Sequence, residues 1–186
     1  MSDKQSLREE HLAYRRHLSA HPARKRDLDA AITRHAARYL AALGAGNVAA
    51  YAPLPLEPGG DSFLPALARA SRRVFLPVSR DDGTLRWSPH TGAPVAGAFG
   101  IAEPGGARFT SRVLHSMSAI IVPALAVDAA GMRLGKGAGY YDRALHGVVA
   151  PTVAVVYERE LVDVVPHESH DIPVAAVITE TGVRQL

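Results

Sequence analysis

The chain has 186 residues, 47% of them hydrophobic and 21% charged, values ordinary for a globular domain that buries its own core. It contains no cysteine, which excludes disulfides, thiolate nucleophiles and cysteine-ligated zinc or iron–sulfur centres. The net charge of +3 is uneven: residues 1–43 hold nine Lys and Arg against five Asp and Glu, and the rest hold twelve against thirteen. That local excess suits an anionic partner, and it equally suits a solvated basic helix face.

Met1-Ser2-Asp3-Lys4-Gln5 lacks the apolar core of a secretory signal. The longest apolar run, Ala119 to Val127, is interrupted by Pro123 and falls well short of the roughly 20 residues that span a bilayer. A cytoplasmic protein with no membrane partner is expected.

Ser2 with Gln5 three residues on forms a capping box, and Leu7, Tyr14 and Leu18 recur at helical spacing. Lys4 and Arg8 then share one face of that helix. Ser19-Ala20-His21-Pro22 reads as a break, with Pro22 opening a second amphipathic helix through Leu28, Ile32, Tyr39 and Leu43 that stops at Gly44. Asn47 to Ala52 reads as a short strand, Phe63 to Ala70 as a helix and Arg73 to Val78 as a strand. Leu85-Arg86-Trp87 alternates like a half-exposed strand. Residues 88–110 read mostly as loop, with Ala98-Phe99-Gly100-Ile101 ordered by its apolar content. Ala119 to Val127 fits a buried central strand. A glycine-rich turn, a helix from about Tyr140 to Leu145, and strands over Thr152 to Tyr157 and Val174 to Thr179 complete the chain. This alternation predicts one α/β domain over residues 1–186, with a layered, largely parallel sheet flanked by helices and two helices at its N-terminus.

The chemistry concentrates in Gly131-Met132-Arg133-Leu134-Gly135-Lys136-Gly137-Ala138-Gly139-Tyr140-Tyr141-Asp142-Arg143. The segment follows the most apolar strand and precedes a helix, the place where open α/β sheets bind ligands. Glycines at 135, 137 and 139 let backbone N–H groups approach an anion, and the next helix adds its positive end. Arg133 and Lys136 supply charge, and Asp142 is suited to a divalent cation on phosphate oxygens. The spacing matches neither a P-loop nor a dinucleotide fingerprint, so a purely structural turn stands beside the anion-binding reading. Eighteen of the 21 basic residues are Arg; only Lys4, Lys25 and Lys136 are Lys, which marks places where a compact ammonium is needed.

Other residues have plainer readings. His11, His17, His21 and His35 are read as surface or cap residues on the helices. His170 either orients Asp171 or is an ordinary loop residue. Trp87 either packs on the sheet or stacks on a ligand ring. Asp128 reads as a turn stabiliser, and Tyr141 as partly core.

Several segments carry a resemblance. Pro123-Ala124-Leu125-Ala126-Val127-Asp128 followed by Arg133 to Arg143 resembles the signature of the 5-formyltetrahydrofolate cyclo-ligases, also called 5,10-methenyltetrahydrofolate synthetases. Lys4-x-x-Leu7-Arg8, Tyr51-Ala52-Pro53 before Glu57, Phe99-Gly100-Ile101-Ala102-Glu103-Pro104, and His170-Asp171-Ile172-Pro173-Val174 fit the same family in the same order. The resemblance implies a fold related to the ribose-5-phosphate isomerase and CoA-transferase group. It implies an enzyme that uses ATP and magnesium to cyclise 5-formyltetrahydrofolate, a monomer acting on small molecules rather than nucleic acid. By the same resemblance Lys4 and Arg8 contact phosphate. Arg133, Leu134, Gly135, Lys136, Gly137, Ala138, Gly139, Tyr140 and Tyr141 form the nucleotide loop, with Lys136, Arg133 and Tyr140 catalytic. Ala52 and Glu57, with Lys136 and Tyr140, meet the folate, and Asp142 and Asp171 hold magnesium. Ala138 departs from the glycine or lysine of many relatives, and Pro58-Gly59-Gly60 departs from the usual sequence after the acidic residue. A phosphate-binding isomerase or acyl-CoA-utilising enzyme on the same fold is the alternative enzyme reading; a nucleic-acid-binding module lacks any recognised motif.

Overall fold

A computed structural model describes residues 3–92, 94–96 and 102–186. Ser2 of the expected capping box, and Ala98-Phe99-Gly100-Ile101, lie outside the described residues. Two helices open the chain, α1 (Asp3–Ser19) and α2 (Pro22–Ala42). Proline at the first turn of α2 costs no hydrogen bond and fixes the helical φ. Gly44 (φ +58°) ends α2: its N–H donates to Ala41 O at 3.0 Å, and Ala45 N–H donates to Leu40 O at 3.1 Å. Those are the paired bonds of a Schellman stop.

The strands that follow are β1 (Asn47–Ala49), β2 (Arg73–Ser79), β3 (Leu85–Pro89), β4 (Pro94–Ala96), β5 (Ala102–Pro104), β6 (Ala119–Pro123), β7 (Ala126–Val127), β8 (Arg133–Leu134), β9 (Thr152–Val155), β10 (Ala176–Thr179) and β11 (Gly182–Gln185). Helix α3 (Phe63–Ala70) precedes β2, and α4 (Tyr140–Leu145) follows β8. Seven strands form one sheet in the order β11-β10-β9-β6-β1-β2-β3. The pairs β1–β2, β1–β6, β6–β9 and β9–β10 are parallel; the edge pairs β2–β3 and β10–β11 are antiparallel. The largely parallel sheet and the N-terminal helix pair are as expected.

Apolar residues cover both faces of the sheet, which explains the unbroken apolar texture of β6 and β9. On one face Val48, Ile121, Val153 and Ile178 pack with Leu18 of α1, Ile32 and Leu40 of α2, and Phe63 and Leu67 of α3. On the other, Ile120, Val122, Ala154 and Val177 pack with Trp87, Leu114 and Leu145. Trp87 is fully buried there, so sheet packing is its role and ring stacking on a ligand is not.

Three expectations need correction, and one strand was not expected. The strand over Asn47 to Ala52 is three residues long; beyond it Ala50 N–H still donates to Phe75 O, and then the chain turns away. Ala119 to Val127 is not one strand, because Pro123 offers no N–H to a ladder; beyond it β7 pairs antiparallel with β8 in a separate hairpin. Within 88–110, β4 and β5 form a small antiparallel pair hidden by the Ala, Pro and Gly content of the segment. The terminal strand β11 is exposed and polar, so it carries none of the alternation that marks a half-buried strand.

β1 leads outward to β2, and the chain then crosses to β6 on the other side of β1. The strand order therefore reverses between β1 and β6, a topological switch point where a crevice opens at the carboxyl ends.

Candidate active site

At that crevice Tyr51 and Ala52 follow β1, Pro123 ends β6 and Ala124 follows it. They line a cavity of about 580 Å³, within the usual size range for a small-molecule site. Its other walls come from α1, from β2, from the Leu54–Glu57 turn, from residues 133–142 and from 168–171.

The hairpin β7–β8 is held by a buried carboxylate. Asp128 is buried and its carboxylate accepts N–H groups from Ala130 at 3.0 Å, Met132 at 2.9 Å and Val165 at 2.9 Å. Its role is structural, as its place before the turn suggests. Gly131 (φ +79°) sits so close to Val174 that an added Cβ would lie 2.4 Å from the Val174 carbonyl oxygen. This turn hands Arg133 to the cavity wall. Its Nη2 donates to Asp142 Oδ1 at 2.5 Å, and its Nη1 donates to the carbonyl of Ile172. Leu134 is more core than ligand surface: its side chain packs with Leu125 and Val165, and its carbonyl accepts Leu125 N–H at 2.7 Å.

The loop beyond needs glycine at two of its three glycine positions. Gly137 (φ +104°) and Gly139 (φ +65°) are left-handed, and Gly135 has no such φ and nothing near its Cβ direction. Gly139 caps α4, whose six residues are too few for the dipole contribution expected of it. Arg143 clamps the loop from behind. It donates to Ala138 O at 2.8 Å and to Gly83 O at 2.6 and 2.9 Å, and its guanidinium lies 5.5 Å from the Tyr140 ring centre. Arg143 lies within the glycine-rich motif, but its clamping role was not visible there, because its partners are backbone carbonyls 5 and 60 residues away. Tyr140 remains partly exposed in the cavity. Tyr141 leans edge-on to Trp87, and burial, with the charge of Glu57, pushes its hydroxyl pKa upward.

Every residue expected of the site from the sequence lines this one cavity: Lys4, Arg8, Ala52, Glu57, Arg133 to Asp142, and Asp171. Charges there are paired. Lys4 Nζ donates to Asp171 Oδ2 at 2.8 Å and lies 3.6 Å from Glu168. Arg8 Nε donates to Gly135 O at 3.0 Å, joining α1 to the glycine-rich loop. Lys136 Nζ donates to Glu57 Oε1 at 2.6 Å, while Leu54 N–H donates to Glu57 Oε2 at 2.9 Å. Burial raises the Asp171 pKa, but the hydrogen bonds from Lys4 and Glu168 N–H and the charges of Lys4 and His170 outweigh it and hold it below the usual carboxylate range. His170 is exposed, with Nε2 3.9 Å from Asp171 Oδ1.

Among the described residues no three acidic or histidine side chains gather into a ready-made metal cage. Asp142 and Asp171 nevertheless bring two hard oxygen donors to one cavity. That donor set fits magnesium, which binds through one or two carboxylates and takes the rest of its shell from water and phosphate.

One expectation about the helices fails. His11 is buried on the inward face of α1 with Arg15 and Leu18, not at the surface. Its neighbour Arg15 makes a bidentate pair with buried Glu160 at 2.6 and 2.7 Å and also donates to Ala124 O at 2.6 Å. This fixes α1, and with it Lys4 and Arg8, against the end of β6. The inward spacing of Lys4, Arg8, His11 and Arg15 was visible, but polar residues on a helix face normally read as solvated.

The chain is similar to known proteins along most of its length. The model of the 5-formyltetrahydrofolate cyclo-ligase family matches residues 1–180. A protein of Mycolicibacterium smegmatis named 5-formyltetrahydrofolate cyclo-ligase is 41% identical over 141 residues, covering 72% of this chain and 73% of its own length. The NMR structure of Aquifex aeolicus 5,10-methenyltetrahydrofolate synthetase has a TM-score of 0.77 at 30% identity, over 98% of this chain and 92% of that one. The 5,10-methenyltetrahydrofolate synthetase of Mycoplasma pneumoniae has a TM-score of 0.76 at 22% identity, over 96% of this chain and 99% of that one, a likeness of fold alone.

Proposed function

Because the chain belongs to the 5-formyltetrahydrofolate cyclo-ligase family, we propose that it uses ATP and magnesium to close 5-formyltetrahydrofolate to 5,10-methenyltetrahydrofolate, releasing ADP and phosphate. The observation that carries this reading is convergence: cations and carboxylates from four separate segments line one cavity at the sheet's switch point.

A formamide carbon is a poor electrophile, and closing the ring requires its oxygen to leave. The formyl oxygen attacks the terminal phosphorus of ATP, the bond to the bridging oxygen breaks, and ADP departs. N10 then attacks the activated carbon, the carbon–oxygen bond breaks, and phosphate leaves with the former formyl oxygen. The N10 proton is lost and the positive charge is shared between N5 and N10.

Such a transfer is catalysed by alignment and charge neutralisation. Lys4 and Arg8 reach the phosphates from α1, and Lys136 and Arg133 reach them from the loop. Arg133 is held rigid by Asp142 and Ile172 O, so it meets its ligand preorganised. Leu134, Gly135, Gly137, Ala138, Gly139 and Tyr141 contribute the walls of the nucleotide loop, and the partly exposed Tyr140 faces the reacting end. Ala52 and Glu57 form the folate side, where the carboxylate is an acceptor for ring N–H groups. Asp142 and Asp171 would hold magnesium, which when bound neutralises charge on the phosphate oxygens.

The proposal extends to a monomeric, single-domain (1–186) enzyme of the cytoplasm acting on small molecules. In its support, Lys4 and Arg8 turn into the cavity rather than outward to a polyanion. No helix among the described residues is long and apolar enough to cross a membrane. The test is near-ultraviolet absorbance of the methenyl product formed from 5-formyltetrahydrofolate and magnesium–ATP. Product that requires all three components is expected; folded protein giving none would overturn the assignment.

A further inference from the structure

Glu57-Pro58-Gly59 carries five backbone polar groups, two N–H and three C=O, because proline has no N–H. All three residues are buried, so each group needs a partner within the protein. Glu57 N–H donates to Leu54 O at 2.8 Å within the turn. The other four are met by side chains from elsewhere. Lys25 Nζ donates to Glu57 O at 3.1 Å, and Tyr51 OH donates to Pro58 O at 2.6 Å. Gly59 N–H donates to Asp29 Oδ1 at 3.1 Å, and Thr33 Oγ1 donates to Gly59 O at 3.0 Å.

Lys25, Asp29 and Thr33 are four residues apart on α2 and so form one face of it. Asp29 is the hub of that face. Its Oδ2 accepts Lys25 Nζ at 2.6 Å, and its Oδ1 also accepts Tyr157 OH at 2.8 Å. Gly60 (φ +58°) lies against it, with an ideal Cβ 3.1 Å from Asp29 Oδ2. Surface loops adapt to their ligands; this one is stapled from below at every polar group. The Glu57 carboxylate inherits that rigidity, because its Oε2 is tied to Leu54 N–H in the same turn.

We infer that Asp29, with Lys25 and Thr33, is a positioning set that fixes the Glu57 carboxylate at the folate side of the cavity and so governs folate rather than nucleotide affinity. The inference rests on the reading of Glu57 as a folate-side residue. The set acts through the loop backbone and touches no substrate. A loop displaced by about 1 Å misaligns a hydrogen-bonding carboxylate enough to weaken binding and turnover.

Steady-state kinetics on Asp29→Asn and Thr33→Val test it. Asn retains the acceptor for Gly59 N–H but sets an amide against the Lys25 ammonium; Val removes the bond to Gly59 O. Both should raise KM for 5-formyltetrahydrofolate about fivefold or more, the scale of one lost hydrogen bond, and leave KM for ATP within about twofold. Thr33→Ser, which keeps the hydroxyl, should restore the folate KM. Val177→Ala, a buried change on the face of β10 that packs away from α2, should lower the melting temperature and move neither KM. Unchanged folate KM in both variants, or an equal rise for ATP, would overturn the inference. If Asp29→Asn fails to fold, Thr33→Val and Tyr157→Phe decide. Glu57→Gln separates the two levels. An unchanged folate KM there sinks the underlying reading, whereas a raised one alongside unaffected Asp29→Asn and Thr33→Val sinks the positioning set alone.

Discussion

Lys136 Nζ and Glu57 Oε1 meet at 2.6 Å, joining the glycine-rich loop to the turn beyond β1 across the cavity. The pair is asymmetric, since the lysine side chain is 50% exposed and the glutamate 6%. An ammonium so placed is free to exchange Glu57 for a phosphate oxygen, while the Glu57 carboxylate keeps its bond from Leu54 N–H.

Lys136→Ala should therefore lower turnover about 100-fold or more, the scale seen when a group that stabilises transition-state charge is removed. The melting temperature should move by only a few degrees. Circular dichroism melting beside the absorbance assay reads both, and wild-type turnover would remove Lys136 from the phosphate site.

Asp142→Asn should raise the magnesium concentration for half-maximal activity about tenfold or more. A magnesium titration at saturating ATP measures it. An unchanged curve would leave Asp142 with only its structural bond to Arg133.

The glycines separate fold from binding. Gly131→Ala should destabilise severely, because its Cβ would meet Val174 O and its φ is positive. Gly135→Ala should fold like wild type, since nothing lies near its Cβ direction, and should raise KM for ATP because Gly135 lines the cavity. Comparing melting temperature with KM in the two variants checks the contrast.

Buried charge predicts a stability effect remote from the chemistry. Arg15→Met leaves the fully buried Glu160 without its partner and should cost about 3–5 kcal/mol by urea denaturation. Adding Glu160→Leu should recover most of that loss. Recovery of none would mean that the bond from Arg15 to Ala124 O dominates.

His11 gives the pH dependence a sign. Burial lowers its pKa from 6.5, and its Nε2 has no hydrogen-bond partner among the described residues. Below that value the unfolded chain takes up a proton that the folded chain refuses, so this contribution to stability falls as pH drops from 6.5 toward the folded pKa. His11→Leu should remove it. Denaturation near pH 7.5 and pH 5.5 should show wild type losing more than the variant; equal losses would contradict the assignment.

Much of the fold was readable because local rules and burial agreed. Pro22, Gly44 and the apolar spacing of α1 and α2 each point to the same boundaries, and α3 and α4 fall where their patterns end. The misses share a cause. A strand of two or three residues, such as β7 or β8, is too short to show a period, and its existence depends on a partner residues away. The cavity lining was legible where chemistry is written in one segment, as in Arg133 to Asp142. The resemblance supplied the distant members, Lys4, Glu57 and Asp171. What supports them was invisible: Asp29, Thr33 and Arg143 bind backbone groups, and a side chain's backbone partner leaves no trace in residue identity. The lysine count was the one hint. Lys4 holds Asp171, Lys25 holds the Glu57 carbonyl and Lys136 holds the Glu57 carboxylate, so all three serve the cavity where an arginine fork would be bulkier.

The fate of the formyl oxygen distinguishes phosphorylation from direct loss to water. 5-Formyltetrahydrofolate carrying heavy oxygen in its formyl group would be turned over with magnesium–ATP, and the released phosphate examined by mass spectrometry. One labelled oxygen in phosphate is expected for each methenyl group formed. Label released into water, with phosphate unlabelled, would contradict phosphorylation of the formyl oxygen and the role assigned to the cations around it.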